Sequence, residues 1–265
     1  MLFSLFDNLT LTKPKQEEEI PIQQEFEITV KGESVPVRIV FEHQRFNNRV
    51  TVNKNGILIR ISARQNKDEQ RKHIDTFLNW AKNKLGDKPE LLDSLAQRHY
   101  VNGEILRVGE YEFVISVHYN GTAKSSAKIF RNNIVISLAK GLSKEAEANA
   151  SSYLIAKCLS KFFQPIVAAR LHELNERFFK KKLNTIKMKY ATSFWGHCSR
   201  NGNIVISIRL MFAPSRTIDY VLLHELAHLV HHDHSPSFWK VVEQVMPDYR
   251  IHEKHLTDNH LKYYL

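Results

Sequence analysis

Residues 221–239 read VLLHELAHLVHHDHSPSFW. His224, His228, His231, His232 and His234 all fall in this stretch, and their spacing decides how the rest of the chain is read. His224-Glu225-Leu226-Ala227-His228 is an H-E-x-x-H pattern. On a helix, residues four apart lie about 40° from each other around the axis, so both imidazoles project from one face and can converge on one metal ion. Leu222, Leu223, Leu226, Leu229 and Val230 fall on the opposite, apolar side. Glu225 stands about 100° from His224 on this wheel, beside the metal rather than on it. Zinc lowers the pKa of a bound water to about 7, and a carboxylate in that position can take the proton and pass it to a leaving group.

Two histidines do not complete a site; a third ligand is required, with water in the open position. If the helix simply continued, His231 would return to the His224 face but about 10 Å further along the axis, too far for one ion. His232 would rotate further away. His234 lies six residues beyond His228, the count found in H-E-x-x-H-x-x-G-x-x-H, where the chain leaves the helix and swings the last histidine back. Here His231 occupies the glycine slot, so the turn has to form without glycine, and His232-Asp233 followed by Ser235-Pro236 is compatible with such a break. The spacing favours His234 and leaves His231, His232, and Asp233 or a distant carboxylate as alternatives. Imidazole ligands suit zinc better than magnesium, which prefers oxygen.

Outward from this stretch, the pattern predicts a helix over about 216–231 with Ser215 as its N-cap and Asp219 in its first turn. A second helix starts at Ser235-Pro236 and is ended by Pro247. Upstream, FWGHCSR and NIVISIRL flank Asn201-Gly202, which predicts a hairpin with a two-residue type I′ turn. Ile204, Ile206, Ile208 and Leu210 then alternate to one face of the second strand, whose exposed edge is expected to take an extended peptide. Trp195, Cys198, Phe238 and Trp239 read as packing residues, Cys198 lacking any thiolate-stabilising motif. Residues 143–180 have a helical period that Pro165 is expected to break into two helices. Within it His172-Glu173 opens like a metal motif, but Glu176 stands where a second histidine is needed, so this is a solvated face.

Further upstream, FEITV, VPVRIVFE, RVTV and ILIRIS read as strands, residues 67–85 as a helix, and EILRV, YEFVISV, AKIF and NIVISL as strands again. No internal repeat or low-complexity tract is evident. Residues 1–20 are expected to form a charged, loose arm. The expected organisation is therefore α+β: an arm over 1–20, a β-rich region over 21–140, and a metallo-domain over 141–265 built around the H-E-x-x-H helix.

Composition narrows the function classes. Hydrophobic residues make up 43% and charged residues 25% of the 265 residues, which a chain with a packed core requires and a disordered one lacks. Cys158 and Cys198 are the two cysteines, with no paired spacing, which excludes a disulfide scaffold or a cysteine-based zinc knuckle. No apolar run reaches the roughly 18 residues that span a bilayer, and the N-terminus lacks a signal peptide's basic region, so a cytoplasmic protein without a membrane partner is expected. The formal net charge of +10 favours an acidic partner or substrate.

F-W-G-H-C-S at 194–199, I-D-Y-V-L-L-H-E-L-A-H at 218–228 and H-S-P-S-F-W at 234–239 resemble the YgjP-like zinc metallopeptidases, a group related to the SprT-like and WLM proteins. The usual family wording is W-G-S-C-S, Y-V-x-x-H-E-L-A-H and H-S-x-x-F-W. The resemblance implies a zincin-like fold, a zinc site of His224, His228 and His234, and Glu225 as the catalytic group. His197 departs from the family's usual Ser, and Phe194 from a frequent basic residue. The expected function is a zinc-dependent hydrolase, first a peptidase acting on a peptide or protein. A nucleoside triphosphate pyrophosphatase working through the same site is the alternative, supported by Lys180, Lys181, Lys182, Lys187 and Lys189 before the hairpin. A DNA-associated protease like the SprT-like relatives is the third, resting on the basic balance alone. His252, His255 and His260 in the tail are the candidates for an assisting imidazole.

Overall fold

Alternating apolar residues build the first sheet. Val35, Val37 and Ile39 are buried while Ser34, Pro36 and Arg38 between them are exposed, the period of two that a half-buried strand requires. The computed structural model describes residues 23–43, 47–53, 55–87, 92, 98–260, 262, 263 and 265. The arm expected over 1–20 lies outside the described residues. Strands β1 (Gln23–Val30), β2 (Glu33–Glu42), β3 (Arg49–Asn53) and β4 (Gly56–Ser62) pair in the order β1-β2-β4-β3, with β2 and β4 parallel and the other pairs antiparallel. Helix α1 (Lys67–Asp87) follows. Asn66 starts it, its Oδ1 accepting from the Glu69 backbone N–H at 2.9 Å.

The same arrangement recurs. Strands β5 (Ile105–Val108), β6 (Tyr111–Asn120), β7 (Ser126–Phe130) and β8 (Asn133–Ala139) pair in the order β5-β6-β8-β7, again with only the central pair parallel. Helix α2 (Lys144–Phe178) follows, started by Ser143, whose Oγ accepts from the Ala146 N–H. A shift of 78 residues carries buried Val30, Val35 and Val37 onto buried Val108, Phe113 and Ile115. A shift of 77 carries Ile57, Ile59 and Ile61 onto Ile134, Ile136 and Leu138, and the cap Asn66 onto Ser143. The registers correspond too: Val37 pairs with Ile57 as Ile115 pairs with Ile134. No repeat is evident in the sequence; the structure shows a four-strand-plus-helix module present twice.

The chain divides into two compact units, Met1–Asp87 and Lys88–Leu265. The sequence pattern predicts one β-rich region over 21–140. In the structure β5–β8 belong to the same unit as the H-E-x-x-H helix, because α2 carries two apolar faces. One packs on β7 and β8; the other packs on β9 (Ile186–Lys189) and α3 (Ser215–Ala227). Helix α2 is continuous, contrary to the expected break at Pro165. Pro165 and Lys161, the residue whose carbonyl loses its N–H partner, are both exposed, so water can satisfy that carbonyl and the helix need not part.

A third sheet, ordered β10-β11-β9, joins β10 (Gly196–Cys198) antiparallel and β9 parallel to β11 (Ile204–Ser207). Two expectations change here. The loop is not a two-residue type I′ turn: Asn201 has no positive φ, Gly202 has φ +75°, the Gly202 N–H donates to Ser199 O at 2.9 Å and Ser199 N–H to Asn203 O at 2.9 Å. That is a three-residue loop, Arg200-Asn201-Gly202, with glycine at its left-handed position. The strand also stops at Ser207 and becomes a 3₁₀ turn over Ile208–Phe212. Arg209 pulls the chain inward there: it is buried and donates to the carbonyls of Thr192, His260 and Tyr263. Because β11 is central, neither of its edges is open; β10 supplies the edge nearest α3. Helices α4 (Pro236–Val245) and α5 (Tyr249–Asn259) close the unit. Among the described residues no helix is long and apolar enough to cross a membrane.

Candidate metal centre

Leu222, Leu223 and Leu226 are buried and anchor α3 in the core, which turns the opposite face toward the cleft. The helix begins at Ser215 rather than being capped by it: the Pro214 carbonyl accepts from Thr217 and Ile218, and no side chain caps it. It ends at Ala227, four residues before the expected end. His228 remains right-handed at the C-terminus, and the Val230 and His231 N–H groups both turn back to Ala227 O, at 2.9 and 3.0 Å. This tight turn reverses the chain without glycine. Asp233 then accepts from the Ser235 N–H at 3.3 Å, so it serves the turn.

The reversal brings His234 back over the helix. His224, His228 and His234 offer ring nitrogens that all lie within 4.8 Å of one another. The Nε2 atoms of His224 and His234 stand 3.1 Å apart. Two nitrogens bound tetrahedrally at about 2.1 Å are about 3.4 Å apart, so the spacing fits one ion. His231 and His232 are not in this cluster. The His228 Nδ1–H donates to His231 O at 3.2 Å, which leaves Nε2 of the neutral ring bare for a metal. Burial, then the neighbouring His228 and His234, holds His224 down to about 3, so its imidazole stays neutral and able to ligate. Burial also lowers His228.

Phe238 forms the floor. It is fully buried, stacks on His228 at 4.5 Å between ring centroids, and sits 4.9 Å from both His224 and His234. Trp239 stacks on His234 at 5.8 Å and on Tyr249 at 5.3 Å. Tyr220, one turn before His224, meets it edge-on at 6.0 Å. These rings fix the imidazoles from below and keep that side dry. In the sequence Phe238 and Trp239 read as packing residues only; the signal for Tyr220 is its i−4 spacing from His224.

Glu225 is 4% exposed, its Oε2 has no hydrogen-bond partner, and burial pushes its carboxyl up to about 8. The wall against it is Gly196 of β10: a Cβ there would fall 2.6 Å from Glu225 Cγ and 2.7 Å from Cδ. Only glycine allows this approach, and a glycine inside a strand was the sequence signal for it. On either side of Gly196, Trp195 packs edge-on to Tyr263 at 5.9 Å under the Arg209 guanidinium, and the Cys198 thiol is pushed up to about 12 by burial and then by Glu225. Both are packing groups, as the sequence indicates. His197 is exposed. In the tail, His252 shares a hydrogen bond with Thr217 Oγ1, His255 with the Tyr263 hydroxyl, and the His260 Nδ1–H donates to Thr257 O. All three are engaged in holding α5 and the tail. His172 and Glu173 lie exposed on α2, and Glu173 pairs with Arg170 at 2.7 Å, as a solvated face would.

No curated protein matches the chain's sequence. The metallopeptidase zymogen abylysin of Pyrococcus abyssi, a crystal structure, aligns over 34% of this chain and 92% of its own length, with 24% identity and a TM-score of 0.32. The model of the YgjP-like metallopeptidase domain matches residues 46–259, from the first sheet through the histidine cluster to α5. The chain belongs to the YgjP-like metallopeptidase-domain family.

Proposed function

We propose that this chain is a zinc-dependent peptidase, with His224, His228 and His234 as the zinc ligands and Glu225 as the general base. The observation that carries the reading is a buried carboxylate with an unpartnered oxygen, one residue from the first of three converging imidazoles. Such a group is costly to keep unless it has work to do. Three nitrogen donors and no oxygen donor favour zinc over magnesium or manganese. A zinc ion held there supplies Lewis acidity to a water and to the scissile carbonyl. Glu225 takes the proton at its free oxygen and returns it to the leaving amine. Strand β10 supplies an open edge beside Glu225 that can align an extended peptide, and the Phe238 and Trp239 rings exclude water from beneath.

The test compares the zinc-loaded chain with Glu225→Gln. The amide keeps the shape but accepts no proton, so zinc content stays near one per chain while cleavage of an unstructured protein falls by about 10²–10⁴-fold. Full activity in the variant would sink the assignment of the base. Pyrophosphate release from nucleoside triphosphates by wild type alone, with no protein cleaved, would replace the substrate class and keep the site.

A further inference from the structure

Between Glu176 and Asp219 the chain has no acidic residue and nine lysines and arginines. Helix α2 likewise carries no acid from Ala148 to His172. These two acid-free stretches meet where β9 lies along α2, joined by the Met188 N–H donating to Gln164 Oε1 at 3.4 Å. Between them runs an open groove of about 400 Å³, lined among others by Tyr153, Lys157, Lys161, Gln164, Lys189 and Tyr190. Tyr153, Lys157 and Lys161 are spaced four residues apart and so stack along one face of the helix. Lys189 faces them from β9, where Lys187 is exposed as well.

Lys157, Lys161 and Lys189 are exposed, and none forms an ion pair with a described residue. Lys157, Lys161 and Lys189, the last with its ammonium 5.3 Å from the Phe194 ring centroid, leave round one concavity a positive potential that an anionic partner lowers. Tyr153, 59% exposed, stands at the end of this row with its ring available. Spaced cations with an open aromatic ring match a phosphate backbone carrying bases. We propose that this groove binds a single-stranded nucleic acid, its phosphates on Lys157, Lys161 and Lys189 and one base stacked on Tyr153. A duplex keeps its bases stacked inside the helix and offers no base face to the ring, and a polyglutamate-like acidic peptide brings no π face to it. Since β9 and β10 are opposite edges of their sheet, a strand bound here leaves the metal cleft open. The inference stands apart from the peptidase reading.

The experiment is fluorescence anisotropy of end-labelled dodecamers of oligo(dT) and oligo(U) titrated with the full chain across a series of salt concentrations. Three phosphate contacts give a log K against log salt slope near −2, at about 0.7 per contact. The triple variant Lys157→Gln, Lys161→Gln, Lys189→Gln is expected to bind at least ~10-fold more weakly with a flattened slope. Tyr153→Ala, an exposed change that leaves the core intact, is expected to lose about 10-fold with the slope unchanged. A charge-matched triple on α1, Lys67→Gln, Lys72→Gln, Lys82→Gln, is expected to bind like wild type. Circular dichroism and zinc content of each variant check the fold. Absence of binding at low salt overturns the proposal, as do equal losses in the two triples, an unaltered Tyr153→Ala, or polyglutamate or duplex DNA competing as well as unlabelled oligo(dT).

Discussion

Glu225 carries an unfavourable local cost at the histidine cluster: it is buried, and its Oε2 has no hydrogen-bond partner. Its carboxyl titrates near 4.5 when solvated, but burial raises it to about 8 in the folded metal-free chain. Between those values the folded state keeps a proton that the unfolded state releases, so this residue's contribution to stability declines as pH rises from about 4.5 to about 8. Metal-free Glu225→Gln is therefore expected to unfold at higher urea than metal-free wild type at pH 8, with the difference shrinking toward pH 4.5. Equal midpoints at pH 8 would show that the carboxylate is not strained. Gly196 is the complementary residue. Gly196→Ala places a methyl against Glu225 Cγ and Cδ, so either the carboxylate or the strand has to move. With Glu225 as the proposed general base, turnover is expected to drop by about 10²-fold, the effect of a roughly 1 Å misplacement, while zinc content, assigned to the histidines in the same proposal, is expected to be retained. Zinc loss in this variant would mean that the strand, not Glu225, yields.

At the scale of elements, the turn after α3 decides which histidines meet. The helix stops at Ala227, and the His231 carbonyl accepts from His228, so His231 contributes its backbone to the site while its ring faces elsewhere. His234→Ala is expected to weaken zinc binding by more than about 100-fold, beyond what loss of an outer hydrogen bond costs. His231→Ala and His232→Ala keep the carbonyl and are expected to stay within a few-fold of wild type. Competition with a chromogenic chelator measures all three; a larger loss for His231→Ala would return the third ligand to the helix. Arg209 works on the same scale. It ties the 3₁₀ turn after β11 to the carbonyls of Thr192, His260 and Tyr263, which sets the depth of the hairpin that carries Gly196.

On the scale of the molecule, the unit Lys88–Leu265 has one continuous core in which the second sheet, α2, the hairpin sheet and the metal helix share buried residues. The histidines come from α3 and the turn after it, so an ion bound there stabilises the folded state by mass action. Zinc at about 100 times its dissociation constant adds about 2.7 kcal/mol, which for a unit of this size raises Tm by about 5–11 °C. Differential scanning calorimetry with zinc and then with excess chelator reads this shift. A Tm indifferent to zinc would mean that the three histidines do not hold it.

The sequence by itself determined what one element, or one short turn, can decide. The convergence of His224 and His228 follows from a four-residue step on a helix, the strands from their alternation, and the claim of His234 from its distance along the chain. Covalent geometry sets those relations before any packing occurs. Tertiary structure decided the rest. Gly196 against Glu225, Phe238 beneath all three imidazoles, and Lys189 across from Lys157 join residues whose separation in sequence carries no distance information. The module repeat escaped for a related reason: it survives as burial, register and cap position, while Val35 has become Phe113 and Asn66 has become Ser143. Packing constrains the volume and polarity of each position more tightly than its identity, so the likeness is visible only where the two sheets are.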